Sequence, residues 1–179
     1  MTGFRHLGDE LLHGGHVISL YRSSFEAPDG TRFERDVVRH PGAVAVVPVD
    51  ADGNVVLIRQ YRAPLDRMLL EIPAGKRDVA GEPPEVTAAR ELAEEVGLAA
   101  GELRLLATFH NSVGFCDEES LVYLGTDLST APMDRQGVEE EHLEVVRFPL
   151  VEAPERIAAG EVTDGKTVIG LTFALAAWG

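Results

Sequence analysis

Glu91, Glu94 and Glu95 stand within five consecutive residues, and Arg90 precedes them. Carboxylates packed this densely suit one chemistry above others, because their oxygens are the natural ligands of a hard divalent cation such as Mg²⁺. A helix turns by roughly 100° per residue, so with Glu91 at zero, Glu94 falls near about −60° and Glu95 near about +40°. All three share one face. Leu92, Val96 and Ala89 fall at roughly 100°, 140° and 160°, which makes a separate apolar face. The acidic stripe is locally unfavourable. Glu91 and Glu95 repel at i, i+4 by about 0.2–0.5 kcal/mol, and Glu94 and Glu95 lie in the last turn, where the helix dipole disfavours anions. Pairing of Arg90 with Glu94 offsets part of this, and a cation would offset far more. The plain alternative is a solvated glutamate-rich face, and the helix alone favours it.

Other chemistry-bearing residues carry less. Asp50-Ala51-Asp52-Gly53-Asn54 imitates the start of a calcium loop, but Val55 stands where that loop needs glycine, so a hairpin turn explains it better. Cys116 is the only cysteine and has no telling spacing to a histidine, which reads as an inert loop thiol. The six histidines are scattered.

Around the glutamate helix, the pattern predicts strands over Val17–Phe25 and Thr31–Arg39, joined at Ala27-Pro28-Asp29-Gly30. Ala43–Val49 is a continuous apolar run with the look of a buried strand, and Val55–Tyr61 returns from the Asp50–Asn54 turn. Leu69–Pro73 is a short apolar piece ending in Ala74-Gly75. The helix starts at Gly81-Glu82-Pro83-Pro84 and runs to about Val96, with Gly97 as its left-handed cap. Leu103–Phe109 and Ser120–Leu124 read as strands joined by the loop Asn111–Glu119, and Gly137–His142 as an acidic loop before a strand at Glu144–Phe148. Helices are expected over Val151–Ala159 and Lys166–Trp178, the latter against the propensity of Gly170.

Composition narrows the function. Thirty acidic against sixteen basic residues give a formal net charge of −14. Such a surface excludes nucleic acid and anionic membranes as partners. A phosphate substrate then needs a local reversal of sign, for which a bound divalent cation is the simplest device. A lone cysteine fits a reducing compartment, Met1 to Glu10 has no apolar signal core, and no apolar run approaches spanning length, so a cytoplasmic location is expected.

Upstream of the helix stands Gly75-Lys76-Arg77-Asp78-Val79-Ala80-Gly81-Glu82, and after seven residues comes Arg90-Glu91-Leu92-Ala93-Glu94-Glu95-Val96-Gly97-Leu98. This stretch resembles the box of the Nudix hydrolase family, G-x5-E-x7-R-E-U-x-E-E-x-G-U with U a bulky aliphatic. The match from Glu82 onward is complete, whereas six residues, not five, separate Gly75 from Glu82. The resemblance implies an α/β fold with a mixed sheet, a Nudix-like α/β/α sandwich over 43–179, preceded by a β-hairpin arm over 1–42 that dimerises the chain. It implies Mg²⁺, or Mn²⁺ in its place, held by Glu91 and Glu95 with Glu82 and the backbone carbonyl of Ala74, while Glu94 supports catalysis and Arg90 orients the glutamates.

Arg59-Gln60-Tyr61-Arg62 followed by Leu70-Glu71-Ile72-Pro73-Ala74-Gly75, then Arg35–Gly42 and Gly114-Phe115-Cys116-Asp117-Glu118, are similar to the ADP-ribose pyrophosphatase branch of that family. That likeness implies a small nucleoside diphosphate substrate, ADP-ribose giving AMP and ribose 5-phosphate. Arg62 would hold the diphosphate, Arg35 would reach across a homodimer, and Phe115 and Glu118 would contact substrate. The base would come from Gly137–His142, with Glu140 ahead of Glu141. Val113 stands where the branch usually carries a proline that marks ADP-ribose preference. Another nucleotide sugar or a dinucleotide is therefore the rival substrate, and a non-catalytic nucleotide sensor the rival class.

Overall fold

A computed structural model describes residues 3–135 and 138–178, and the side chains of these apart from Glu139 and Glu140. The chain divides into two compact units, Met1–Gly42 with His110–Glu119, and Ala43–Phe109 with Ser120–Gly179.

In the first unit, strands β1 (Arg5–Gly14), β2 (Ser19–Glu26) and β3 (Arg32–Arg39) form an antiparallel sheet in that order. The β2–β3 turn closes where the sequence places it: the amide of Ala27 donates to Thr31 O at 2.8 Å, and Gly30 takes a φ of +85°. No sequence signal predicts β1. Every one of its ten residues is exposed, so no alternation of burial advertises it, and backbone pairing with β2 alone defines it. The loop after His110 docks on β3: the amide of Val38 donates to Phe115 O at 2.7 Å, and the amide of Asp117 to Val38 O at 3.2 Å.

The second unit holds two further sheets. One orders β7 (Ala74–Lys76), β4 (Ala43–Pro48), β9 (Glu119–Thr130) and β8 (Leu98–His110), and the other β10 (Glu144–Pro149), β5 (Asn54–Arg62) and β6 (Arg67–Glu71). β4 runs parallel to β9 and antiparallel to β7, which makes the sheet mixed. The turn at Asp50–Asn54 is present, with the amide of Asp50 donating to Asn54 O at 2.9 Å. It does not make the expected hairpin of long paired strands. β4 and β5 meet at the single bridge Val49–Val55 and then part into different sheets.

The apolar run in β4 is buried on both faces, the property of a strand sandwiched between layers. Ala45, Val47 and Val49 face one core cluster with Leu171 and Ala174 of helix α4 (Gly165–Trp178) and Ala153 of α3 (Ala153–Ala158). Val44 and Val46 face the other, with Ala88, Leu92 and Val96 of helix α1 (Pro84–Val96). The result is a layered α/β/α arrangement. Gly170 sits inside α4 because the helix lies so close to the sheet that a Cβ there would come 2.9 Å from Val47 Cγ2 and 3.0 Å from Ile72 Cδ1. The stretch read as an acidic loop contains one helical turn, α2 (Val138–Glu141). Among the described residues no helix is long and apolar enough to cross a membrane.

Candidate active site

Helix α1 is the element that gathers the carboxylates. It begins at Pro84, where a missing N–H costs nothing, and ends at Gly97, whose φ of +67° lets its amide reach Ala93 O at 2.9 Å. Its apolar face is fixed against β4 by Leu92 and Val96. That leaves the flank bearing Glu91 and Glu95 facing β7, with which α1 is also in contact.

Glu95 is 2% exposed, and its Oε2 accepts the backbone N–H of Ala74 at 2.9 Å. The Glu91 side chain is 13% exposed and lies directly over Gly75. A Cβ at that position would fall 1.9 Å from its carboxyl carbon, so the bare glycine is what leaves room for the carboxyl group of Glu91 in this place. Arg90 sits among the acids: its Nη1 lies 2.9 Å from Glu91 Oε1 and 2.9 Å from Glu94 Oε2, and its Nη2 3.5 Å from Glu82 Oε2. The i, i+4 pair with Glu94 expected from sequence is therefore present. The same Oε2 of Glu82 accepts the hydroxyl of Thr87 at 2.7 Å, which ties Glu82, just ahead of the helix, to α1.

The donor set of Ala74, Glu82, Glu91, Glu94 and Glu95 fits a hard divalent cation. It offers oxygens only, it is largely withdrawn from solvent, and its carboxylates outnumber the guanidinium they share. Among the described residues no three acidic, histidine or cysteine side chains stand as a finished ligand cage. Glu82, Glu91 and Glu94 are turned onto Arg90 instead, whose buried Nε has no hydrogen-bond partner among the described residues.

A second charged group, close in sequence to the first, centres on Glu71. No local spacing in the sequence assigns this residue a role. Its side chain is 1% exposed. Arg62 binds it through two parallel bonds, Nε to Oε1 and Nη2 to Oε2, both 2.7 Å, and the ammonium of Lys166 binds Oε2. Burial alone would raise the pKa of this carboxyl, but Arg62 and Lys166 outweigh burial and hold it at about 2 against an ordinary 4.5. The available signal was a glutamate between Leu70 and Ile72, since an acid inside an apolar strand demands a partner. Its partners lie nine and ninety-five residues away, beyond any local pattern.

The remaining expected residues fall as follows. Arg35, Phe115 and Glu118 belong to the first unit. Arg35 is exposed, donates from Nη1 to Glu34 O at 2.7 Å, and lies 4.8 Å over the Phe33 ring. Phe115 is 58% exposed, so it is no core anchor. Glu118 stands 3.9 Å from His40 Nδ1. Glu141 is exposed at the end of α2, and the Glu140 side chain lies outside the described residues.

Comparison with known proteins gives consistent results. The NUDIX domain family matches residues 39–167. An ADP-ribose pyrophosphatase of Bacillus subtilis (strain 168) is 40% identical over 167 residues, covering 93% of this chain and 90% of that protein. An ADP-ribose pyrophosphatase of Mycobacterium tuberculosis (strain ATCC 25618 / H37Rv) is 40% identical over 168 residues, covering 94% and 81%. A crystal structure described as an ADP compounds hydrolase superposes with a TM-score of 0.83 at 24% identity, covering 98% of this chain and 93% of that one, a likeness of fold.

Proposed function

The chain belongs to the Nudix family and is a pyrophosphohydrolase of the divalent-metal-dependent kind, and from that premise we propose that it hydrolyses ADP-ribose to AMP and ribose 5-phosphate. The observation that carries the reading is the withdrawn carboxylate group on α1, with Glu95 held by the amide of Ala74 and Glu91 seated over Gly75. In this proposal Glu91 and Glu95 hold the metal, with Glu82 and the Ala74 carbonyl completing the oxygens and Glu94 in support. When bound, Mg²⁺ or Mn²⁺ would neutralise the diphosphate and acidify an attacking water.

The residues of the chain do the rest. Arg62, its Nε and Nη2 held by Glu71, presents the Nη1 end of its guanidinium to the diphosphate, a task for which arginine with its several donors suits better than lysine. Arg35, Phe115 and Glu118 contact the remainder of the substrate. Glu140, with Glu141 next, accepts the proton of the water that attacks phosphorus in line. The 1–42 arm serves a homodimer. Exposed Leu7 and Leu11 on β1, with exposed Phe4 and Ile18 just outside the strands, support this, because exposed apolar side chains on an arm are commonly covered by a partner. A single cysteine suits the reducing cytoplasm, where we place the protein.

The test is hydrolysis of a panel of nucleoside diphosphate sugars and dinucleotides by the wild type and by Glu95→Gln. ADP-ribose should give the highest kcat/KM. Glu95→Gln should lose on the order of 10³-fold in kcat, comparable to loss of a main electrostatic stabiliser, while melting cooperatively. Equal turnover of other nucleotide sugars would defeat the substrate assignment and favour the reading that Val113, 79% exposed in place of proline, supports. Undiminished turnover in Glu95→Gln would defeat the metal assignment. Light scattering at micromolar concentration should give the mass of two chains, and the mass of one would remove the arm's role.

A further inference from the structure

Arg62 and Glu71 are not cross-strand neighbours. The register of β5 and β6 sets Arg62 opposite Arg67 and Glu71 opposite Ile58, so the arginine side chain runs back along the sheet to reach its carboxylate. A long side chain in that situation has many rotamers to choose from. Two parallel bonds to Glu71 select one of them. They engage Nε and Nη2 and leave Nη1 with no hydrogen-bond partner among the described residues.

The carboxylate is in turn held by something else. Its terminal torsion is broad and nearly free of intrinsic preference, so Arg62 alone would let the pair swing together. Lys166 prevents this. Its ammonium binds Glu71 Oε2 and, at 2.9 Å, Asp164 Oδ2. Asp164 caps α4, accepting the amide of Thr167 at 3.0 Å and its hydroxyl at 2.6 Å, and the hydroxyl oxygen of Thr167 accepts the amide of Ile72 at 3.1 Å. The first turn of α4 thus grips both the side chain of Glu71 and the backbone immediately after it. Thr167 is wholly buried and the Lys166 side chain is 13% exposed, so the grip is built into the fold.

We propose that Lys166 is a positioning residue for the hydrolysis: by fixing the Glu71 carboxylate it aims the Arg62 guanidinium, with its uncommitted Nη1, at the diphosphate. This rests on the role given to Arg62 above. The distinguishing feature is dependence. A residue that acts through Arg62 has nothing to act on once Arg62 is gone, whereas a residue that merely stabilises α4 has the same effect with or without it.

The test is a cycle of four proteins, wild type, Lys166→Met, Arg62→Ala and the double variant, measured for kcat and KM on ADP-ribose with thermal melting of each, and Lys166→Arg as rescue. Lys166→Met should lower kcat/KM by on the order of tenfold to a hundredfold, the scale of a misplaced contact, chiefly through KM because the diphosphate is held before and during reaction. The double variant should be no worse than Arg62→Ala, and Lys166→Arg should recover most of the loss. Losses that multiply in the double variant would overturn the proposal, as would an unchanged KM in Lys166→Met. If Lys166→Met does not melt cooperatively, Lys166→Gln is read by the same criteria. A wild type that prefers another nucleotide sugar defeats the ADP-ribose assignment alone, and the cycle is then decided on that sugar. A wild type that cleaves no nucleoside diphosphate derivative overturns both.

Discussion

Two charged groups in the same unit, each built on an arginine–glutamate contact, reach opposite balances. At Arg90, three carboxylates, Glu82, Glu91 and Glu94, share one guanidinium. At Glu71, one carboxylate takes an arginine and a lysine, and Asp164 backs the lysine from its other side. Among the described residues the first group sets three carboxylates against one guanidinium, a balance that the proposed cation would redress. The second is matched within the chain, two cations to two acids, and is complete on folding. The difference shows that burial of acids says little about function until their partners are counted. A surplus points to a ligand, and a match points to alignment.

The contrast can be broken most severely from the matched side. Glu71→Ala would leave Arg62 and Lys166 facing an emptied, buried position, and should cost about 3–5 kcal/mol in urea denaturation. A loss under about 1 kcal/mol, the level of an exposed pair, would show that the group is no more than a surface network. The unmatched side should respond to ligand instead. Millimolar Mg²⁺ or Mn²⁺ should raise the melting temperature, by an amount worth about 2.7 kcal/mol when the ion is at a hundred times its Kd. The rise should vanish in Glu95→Gln and persist in Lys166→Met. A metal response indifferent to Glu95 would remove the distinction between the groups.

Acid should separate them more finely. Folding lowers the Glu71 pKa from 4.5 to about 2, with Arg62 and Lys166 as the groups that face it. Its contribution to stability is therefore whole above about pH 4.5 and is lost as pH falls towards 2, at about 1.4 kcal/mol per pH unit inside that window. Melting temperatures between pH 6 and pH 3 should fall more steeply for wild type than for Glu71→Gln, and parallel curves would contradict the assignment. The smallest effect is expected at the edge of the matched group. Asp164→Ala removes the cap of α4 and should cost about 1 kcal/mol by chemical denaturation, with Mg²⁺ still raising the melting temperature.

Legibility in the sequence followed the range of the interaction responsible. Helix α1 could be read because its apolar spacing, its opening prolines and Gly97 are all local, and Gly97 does adopt a φ of +67°. The same local signals placed the glutamates on one flank, but gave no view of what that flank faces. β1 escaped because pairing without burial leaves no period in the side chains. The Asp50–Asn54 turn was correct while the hairpin was not, since a turn sequence specifies a reversal of direction and says nothing of whether the departing strands stay in one sheet. Gly170 looked like a weakness in a helix and is a contact surface, a distinction that exists only once Val47, Ile72 and Val122 are brought against it.

By itself, then, the chain's order of residues determined the acidic helix, the glycine at its end, the family and the class of reaction, because each is written in neighbours a turn or two apart. Only the tertiary structure decided that Glu95 is withdrawn under the amide of Ala74, that the carboxyl group of Glu91 lies over the bare backbone of Gly75, and that Glu71 binds Lys166 across ninety-five residues. Those are meetings of distant segments. Their geometry is set by how the sheets and helices pack around two hydrophobic clusters, a condition that no local spacing encodes.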